Sequence, residues 1–411
     1  MQRCLELALL GAGYTAPNPM VGAVLVHEGR VIGEGYHALY GKAHAEVNCL
    51  ASVKTEDQHL IPQATIYVSL EPCAHYGKTP PCADLIIEKK IPRVVVGCRD
   101  PFPDVDGKGI EKLLAAGVEV TVGVLEKECI ALNKRFFTFH TRRRPYILLK
   151  WAQSANGKIG AGTLDLSGSG GIRNDRGMMV EGLKGEESTG KGAGAAGDEA
   201  ELLTGGVNSP GAAGDEAVLL TGEINSPGAD GSRILISNAY SNRLVHKWRS
   251  EEAAILVGTN TALADDPALT VRLWEGPDPI RLVIDKKLRL PDTLRLFDGT
   301  VRTIVFNTVK EGQKGNLLYY PLRGEGSLVA PLVNALYELK ILSVLVEGGT
   351  LLLQSFIDEG YWDEARVITN NELEIPDGLA APILRNTQGP TTVETLLSDT
   401  IRIYYRSTER L

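Results

Sequence analysis

Apolar residues recur at helical spacing from the start of the chain. Leu5, Leu7, Ala8, Leu9 and Leu10 precede a Gly11-Ala12-Gly13 break, which predicts a helix over residues 2–12. Val21 to Val26 and Arg30 to Glu34 are β-rich runs either side of His27-Glu28-Gly29, the pattern of a hairpin. Ala45 to Ser52, Ala83 to Glu88 and Gly109 to Ala116 have helical patterns. Ala64 to Leu70, Arg93 to Gly97 and Val118 to Val122 are strand-like, and Glu71-Pro72-Cys73 stops the first of them. Strands alternating with helices in this way predict an α/β layer structure.

The periodicity breaks at Arg142-Arg143-Arg144-Pro145, the first plausible domain boundary, where the basic run reads as a solvated connector. A second α/β series follows. Its strands are Tyr146 to Trp151, Ala253 to Val257, Ile280 to Ile284, Thr303 to Phe306 and Ser343 to Glu347, and its helices are Asn242 to Arg249, Val329 to Leu339 and Thr350 to Asp358. The expected domains are therefore residues 1–143 and 144–411. An insertion at about 161–232 interrupts the second, and within it Gly197 to Ala213 recurs almost unchanged as Gly214 to Asp230. Two copies with few large apolar side chains bury too little surface for a solenoid. Gly185 to Lys191 fits the first part of a phosphate loop, but Gly192 stands where a Ser or Thr would hold magnesium and no apolar strand precedes it, so the match is a decoy.

A length of 411 residues also favours two cores over one. The formal charge of −8 argues against a broad polynucleotide-binding face, while a local cationic cluster for a small anion stays possible. With no long apolar run and charged Arg3 and Glu6 near the start, the protein is expected in the cytoplasm. Six cysteines, clustered only at Cys73 and Cys82, do not form a disulfide pattern, and metal ligation is the better use for that pair.

His44, Cys73 and Cys82 would supply the three protein ligands of a catalytic zinc site that keeps its fourth position for water. Glu46, at the start of the following helix, is placed to carry a proton from that water to a departing amine. A structural zinc would need a fourth ligand, for which His75 is the near candidate.

Deaminases commonly space their cysteines as P-C-x-x-C, whereas eight residues separate Cys73 from Cys82. The whole string Pro72 to Cys82, with Ala16 to Gly22 and His44-Ala45-Glu46, resembles the bifunctional deaminase/reductase of riboflavin biosynthesis. So do Lys150 to Lys158, Gly258 to Arg272 and Val346 to Thr350 in the second half. The resemblance implies a cytidine-deaminase-like three-layer α/β/α domain followed by a dihydrofolate-reductase-like α/β domain. It implies Zn2+ and NADPH as cofactors, a phosphorylated pyrimidine as substrate, and a homo-oligomer formed through the reductase domain.

Carried over residue by residue, the resemblance puts Asn18 on the pyrimidine and His75, Lys78 and Thr79 on the substrate phosphate, with Gly77 allowing close backbone approach. Ala152, Leu235, Thr261 and Asp265 would touch the cofactor. Gly348, Gly349 and Thr350 would turn a strand into a helix whose free N–H groups hold pyrophosphate. Arg249, Leu269, Arg272 and Glu347 would face the substrate, the two arginines suiting a ribose phosphate, and Lys150 would assist proton transfer. The family usually has Trp-Ile-Thr-Ser ahead of the arginine helix; here the string is Leu235-Ile236-Ser237-Asn238. Two other readings stand beside this one: a deaminase acting on RNA, and a deaminase whose reductase half has become a binding domain.

Overall fold

The computed structural model describes residues 1–76, 80–161, 225–227, 233–323 and 326–407. Lys78, Thr79 and nearly all of the repeated insertion lie outside the described residues. Those described belong to one compact unit, Met1–Gly162 with Thr221–Leu411. No described helix is long and apolar enough to cross a membrane.

The predicted hairpin forms from β1 (Gly22–His27) and β2 (Arg30–Tyr36). Its two connecting residues, Glu28 and Gly29, take φ of 48° and 78°, the left-handed pair that matches the twist of the strands. With β3 (Thr65–Leu70), β4 (Arg93–Cys98) and β5 (Glu119–Val122) it makes a five-stranded sheet ordered β2-β1-β3-β4-β5, in which β3, β4 and β5 run parallel. Alternate residues of the strands face opposite sides. On one side Ala23, Leu25, Ile66, Val68, Val94 and Val96 pack with Ala45 and Cys49 of α2 (Ala45–Ala51) and Ala83 and Ile86 of α3 (Cys82–Glu88). On the other, Val24 meets Cys4 and Leu7 of α1 (Gln2–Leu9). The result is three layers. Helices α4 (Lys108–Ala115), α5 (Glu126–Leu132) and α6 (Lys134–Arg142) complete this half.

The second half is built on β6 (Tyr146–Ser154), followed by β7 (Lys158–Ala161), β8 (Asn225–Pro227), β9 (Arg233–Leu235), α7 (Ala239–Glu251), β10 (Ala254–Gly258), α8 (Thr259–Asp265), β11 (Ile280–Ile284), β12 (Thr303–Asn307), β13 (Gly312–Lys314) and β14 (Leu317–Pro321). Then come α9 (Val329–Glu338), β15 (Ser343–Glu347), α10 (Thr350–Asp358), β16 (Glu364–Asn370), β17 (Gly378–Ala380), β18 (Thr392–Leu396) and β19 (Asp399–Tyr405). Ten of these strands form a sheet ordered β13-β14-β12-β11-β10-β15-β6-β16-β19-β18, parallel from β14 to β16 and antiparallel at both edges. Ile147, Leu149 and Trp151 of β6 face α9 and α10, while Tyr146 and Leu148 face a second core. Burial on both faces explains why this stretch shows no polar alternation. Lys150 is the exception: its neighbours in register are Glu347 of β15 and Arg366 of β16, so three charged residues lie in one row across the centre of the sheet.

Helix α6 joins the two sheets. Lys134 reaches buried Glu364 at 2.5 Å, Arg135 clasps buried Glu252 with one bond of 2.8 Å, and Phe136 and Phe139 pack on Leu342. In the basic run Arg142 and Arg143 are exposed, as a solvated connector requires, but Arg144 is not. Both Arg144 guanidinium nitrogens meet the Asp363 carboxylate at 2.6 Å, and Asp363 also accepts the Ile147 N–H, which fixes where β6 begins. Removing one partner of a nearly buried pair strands the other. Asp363→Ala should therefore cost about 3–5 kcal/mol in urea unfolding. The same test on the half-exposed Arg3–Glu6 pair, with Glu6→Ala, should cost less than ~1 kcal/mol.

Candidate active sites

His44 is the residue just before α2, Cys73 lies in the loop after β3, and Cys82 opens α3. Strand end and helix starts thus point into one space. His44 Nδ1 is 3.6 Å from Cys73 Sγ and 3.4 Å from Cys82 Sγ, and the three ligand atoms all lie within 4.8 Å of one another. Tetrahedral zinc bound at about 2.3 Å by sulfur and 2.0–2.1 Å by nitrogen needs N···S edges of about 3.5 Å, so the donor set fits the ion. His75, the candidate fourth ligand, is outside this cluster; it is exposed and sets its ring against Phe102 at 6.2 Å. Among the described residues the set is therefore that of an open site.

The Cys73 thiol is pulled far below the ordinary thiol range by hydrogen bonding from Cys82, helped by His44 and by the Cys82 backbone N–H at 3.3 Å. Cys82 is pushed up by the same partner and by burial. Glu46 is 4 % exposed and lies against the Cys82 thiol; burial, with the negative charge on Cys73, raises its carboxyl to about 7.

Asn18 enters this site through His37, a buried residue that the sequence reading did not single out. His37 stands edge-on to His44 at 5.5 Å. Its Nδ1 lies 3.0 Å from the Ala43 carbonyl, which can only accept, so Nδ1 carries the proton. Burial depresses the pKa of this histidine and favours the neutral ring, leaving Nε2 as an acceptor for the Asn18 amide nitrogen at 3.3 Å. The Asn18 carbonyl is thereby turned away from His37.

In the second half, α7 delivers Arg249 to the charged row. Its guanidinium binds Glu347 through two bonds of 3.0 and 2.9 Å and donates to the Thr270 carbonyl at 3.2 Å. Lys150 Nζ is 3.9 Å from the same carboxylate, and all three side chains are 1–2 % exposed. Burial opposes ionisation of Glu347, but Arg249 and Lys150 outweigh it and hold the carboxyl at about 2. Burial lowers the Lys150 ammonium to about 8, with Glu347 pulling the other way.

The two expected phosphate arginines thus have different surroundings. The Arg249 fork faces Glu347, whereas Arg272 lies on a loop that also holds Thr270, to which it donates at 3.4 Å, and its backbone N–H meets His246 Nδ1 at 3.0 Å. Leu269 is buried at a left-handed φ of 52°. Gly348 and Gly349 take φ of 113° and 63°, and a Cβ on Gly348 would stand 2.7 Å from the Thr261 methyl, so the turn into α10 and the α8 threonine are brought together. Asp265 ends α8, Thr350 opens α10 with its hydroxyl on the Ala380 carbonyl, Ala152 is buried beside Trp248, and Leu235 is exposed on β9.

A three-layer sheet with an open His/Cys/Cys cluster and a buried glutamate, fused to a mainly parallel sheet with a glycine turn at a helix start, defines a zinc-dependent deaminase joined to a reductase. Residues 1–98 match the cytidine and deoxycytidylate deaminase zinc-binding region, and residues 220–371 match the RibD C-terminal domain. Riboflavin biosynthesis protein RibD of Aquifex aeolicus is 36 % identical over 368 residues, 88 % of this chain and 83 % of that one. The Escherichia coli K12 protein of the same name is 31 % identical over 383 residues, covering 89 % and 84 %. The crystal structure of a diaminohydroxyphosphoribosylaminopyrimidine deaminase/5-amino-6-(5-phosphoribosylamino)uracil reductase from Thermotoga maritima aligns with TM-score 0.74 at 31 % identity, over 99 % of this chain and 97 % of that one. The chain belongs to the RibD family, as its motifs led one to expect, and is an enzyme with a zinc-dependent deaminase half and an NADPH-dependent reductase half.

The buried lysine makes stability depend on pH in a defined direction. A Lys150 pKa near 8 in the fold and 10.5 in the open chain penalises folding below pH 8, and the penalty is relieved as pH rises toward 10.5. Over that interval the unfolding midpoint of the wild type should climb relative to that of Lys150→Met. Parallel curves for the two proteins would contradict the assignment.

Proposed function

We propose that residues 1–143 hydrolyse the 2-amino group of 2,5-diamino-6-(5-phosphoribosylamino)pyrimidin-4-one and that residues 144–411 then reduce the ribosyl group to ribityl. The observation that carries this is the cluster of three ligand atoms within 4.8 Å, with Glu46 buried against one of them, in a chain of this family. His44, Cys73 and Cys82 hold zinc, which when bound supplies the Lewis acidity that makes water a nucleophile at neutral pH. Glu46 accepts a proton from that water and returns it to the amine leaving C2, so that water and the aminopyrimidine become the carbonyl and ammonia. The Asn18 amide, oriented by His37, meets the pyrimidine edge. His75, Lys78 and Thr79 take the phosphate, whose negative charge suits the lysine and the hydrogen-bond donors of the loop.

In the second half NADPH, when bound, supplies the hydride that reduces C1 of the opened ribose. Gly348, Gly349 and Thr350 hold its pyrophosphate at the start of α10, whose first N–H groups have no partner within the helix. Ala152, Leu235, Thr261 and Asp265 contact the rest of the cofactor. Lys150 delivers the proton taken up by the ribose ring oxygen as it opens, a task for which a pKa of about 8 is well matched near neutral pH. Glu347, itself held by Arg249, pairs with that lysine; Arg249 and Glu347 face the sugar, and Arg272 and Leu269 border it.

Glu46→Gln should retain zinc while the deaminase kcat falls by ~10²–10⁴, whereas Cys82→Ala should lose zinc and deamination together. Both variants should still oxidise NADPH when given the deaminated intermediate directly. Full deamination by metal-free protein would refute the first half of the proposal, and no NADPH oxidation by the wild type at saturating cofactor would refute the second.

A further inference from the structure

Glu71 is the residue between β3 and the first cysteine ligand, and it has an unusual set of partners. Its side chain is 4 % exposed, yet its four hydrogen bonds all come from backbone N–H groups. Oε2 accepts from Gly107 at 3.0 Å and Asp100 at 3.3 Å; Oε1 accepts from Gly109 at 2.9 Å and Ile110 at 3.3 Å. Gly109 and Ile110 are the second and third residues of α4, where N–H groups have no carbonyl partner inside the helix. The carboxylate therefore caps a helix remote in sequence, and the helix N-terminus together with the two loop amides offsets the cost of burying its charge.

The contact is tight as well as polar. A Cβ on Gly109 would fall 1.9 Å from the Pro72 carbonyl oxygen, so the first turn of α4 lies directly against the peptide that leads into Cys73. Arg99 closes the intervening loop through Asp106 at 2.7 Å. On the other side of the ligand, Cys73 accepts at its carbonyl from Ala83 N–H, 3.1 Å away, and at its sulfur from Cys82 N–H. Cys73 is thus held between α4 and α3. The segment before it is anchored at Glu71 twice, by the backbone N–H on the Cys98 carbonyl at 3.0 Å and by the buried carboxylate, which alone ties it to α4 among the described side chains.

We propose that Glu71 is a positioning residue for the metal centre, fixing the place of Cys73 by fastening the Glu71-Pro72-Cys73 segment to the N-terminus of α4. This rests on the reading of His44, Cys73 and Cys82 as zinc ligands. In Glu71→Gln the side chain keeps its shape, but an amide NH2 replaces one oxygen and faces two backbone N–H groups that it cannot satisfy. The segment turns to relieve that conflict, and Cys73 moves with it.

The tests read the metal as well as turnover. Glu71→Gln should bind zinc ~10–100-fold more weakly in chelator competition, the range found when groups that orient metal ligands are removed. Its deaminase kcat should fall while KM holds, and the cobalt-substituted protein should show altered d–d and sulfur-to-metal bands. NADPH oxidation on the deaminated intermediate should be unaffected. Gly109→Ala, which leaves the charge in place and presses on the Pro72 carbonyl, should weaken zinc in the same way. In the wild type, chelating the zinc should speed hydrogen exchange at the Gly107, Gly109 and Ile110 amides, a readout that needs no variant. Wild-type zinc affinity and cobalt spectrum in Glu71→Gln, or exchange at those amides that ignores the metal, would overturn the role of Glu71. If the wild type itself bound no zinc at His44, Cys73 and Cys82, the reading of the metal site would fall instead.

Discussion

A metal centre assembled from three separate stretches of chain places a strict demand on the fold around it. An imidazole nitrogen and two sulfurs must stand within a few ångströms of one another while a fourth direction stays open. The N-terminal half suits this by placing each proposed ligand near the end of a rigid element: His44 before α2, Cys73 in the loop after β3, Cys82 at the first residue of α3. Both helices pack on the same face of the sheet, through Ala45 and Cys49 on one and Ala83 and Ile86 on the other. The apolar core therefore sets the spacing of the ligands, and the hydrogen bonds around Cys73 set its direction. Glu46 follows as a consequence, because a residue two positions after His44 on a helix whose inner face is buried is carried into the low-dielectric side of the site.

The second half solves a different problem with similar means. Its charged row, Glu347, Lys150 and Arg366, lies in register across three parallel strands at the centre of the sheet. Such a row is tolerable only because each charge has a partner: Arg249 for Glu347, Glu347 for Lys150, and Glu364 at 2.7 Å for Arg366. Glu364 in turn accepts from Lys134 of α6 and from Tyr146, so the buried charges of the second sheet extend to the helix that anchors the first. The two chemistries are separate, but the scaffold under them is continuous.

Much of this was legible in the chain. The hairpin, most of the strands and helices, and the three residues that come together as candidate zinc ligands can be named from the chain because each depends on local spacing or on a motif. What escaped depends on partners far away. Glu71 looked like the end of a strand, since the amides it holds are 29 to 39 residues further on. Helices α5 and α6 have no clear signal in the chain, and the carboxylates that α6 binds lie more than a hundred positions away. Strand β16 is not among the predicted elements; its Glu364 and Arg366 alternate with Ala365 and Val367 as in a strand with one face in water, whereas both charges are buried and paired. Helix α7 begins before the apolar periodicity that predicts it from Asn242, since Asn238 caps it by accepting from Tyr240 and Ser241 N–H. His37 carried no signal beyond being a histidine.

The central claim is that three protein ligands, and not four, hold the metal. X-ray absorption at the zinc edge of the full-length protein tests this most directly. The structure predicts two sulfur neighbours at about 2.3 Å, one imidazole nitrogen at about 2.0–2.1 Å and one further light atom from water. A shell with a second imidazole, or one lacking the two sulfurs, would contradict it.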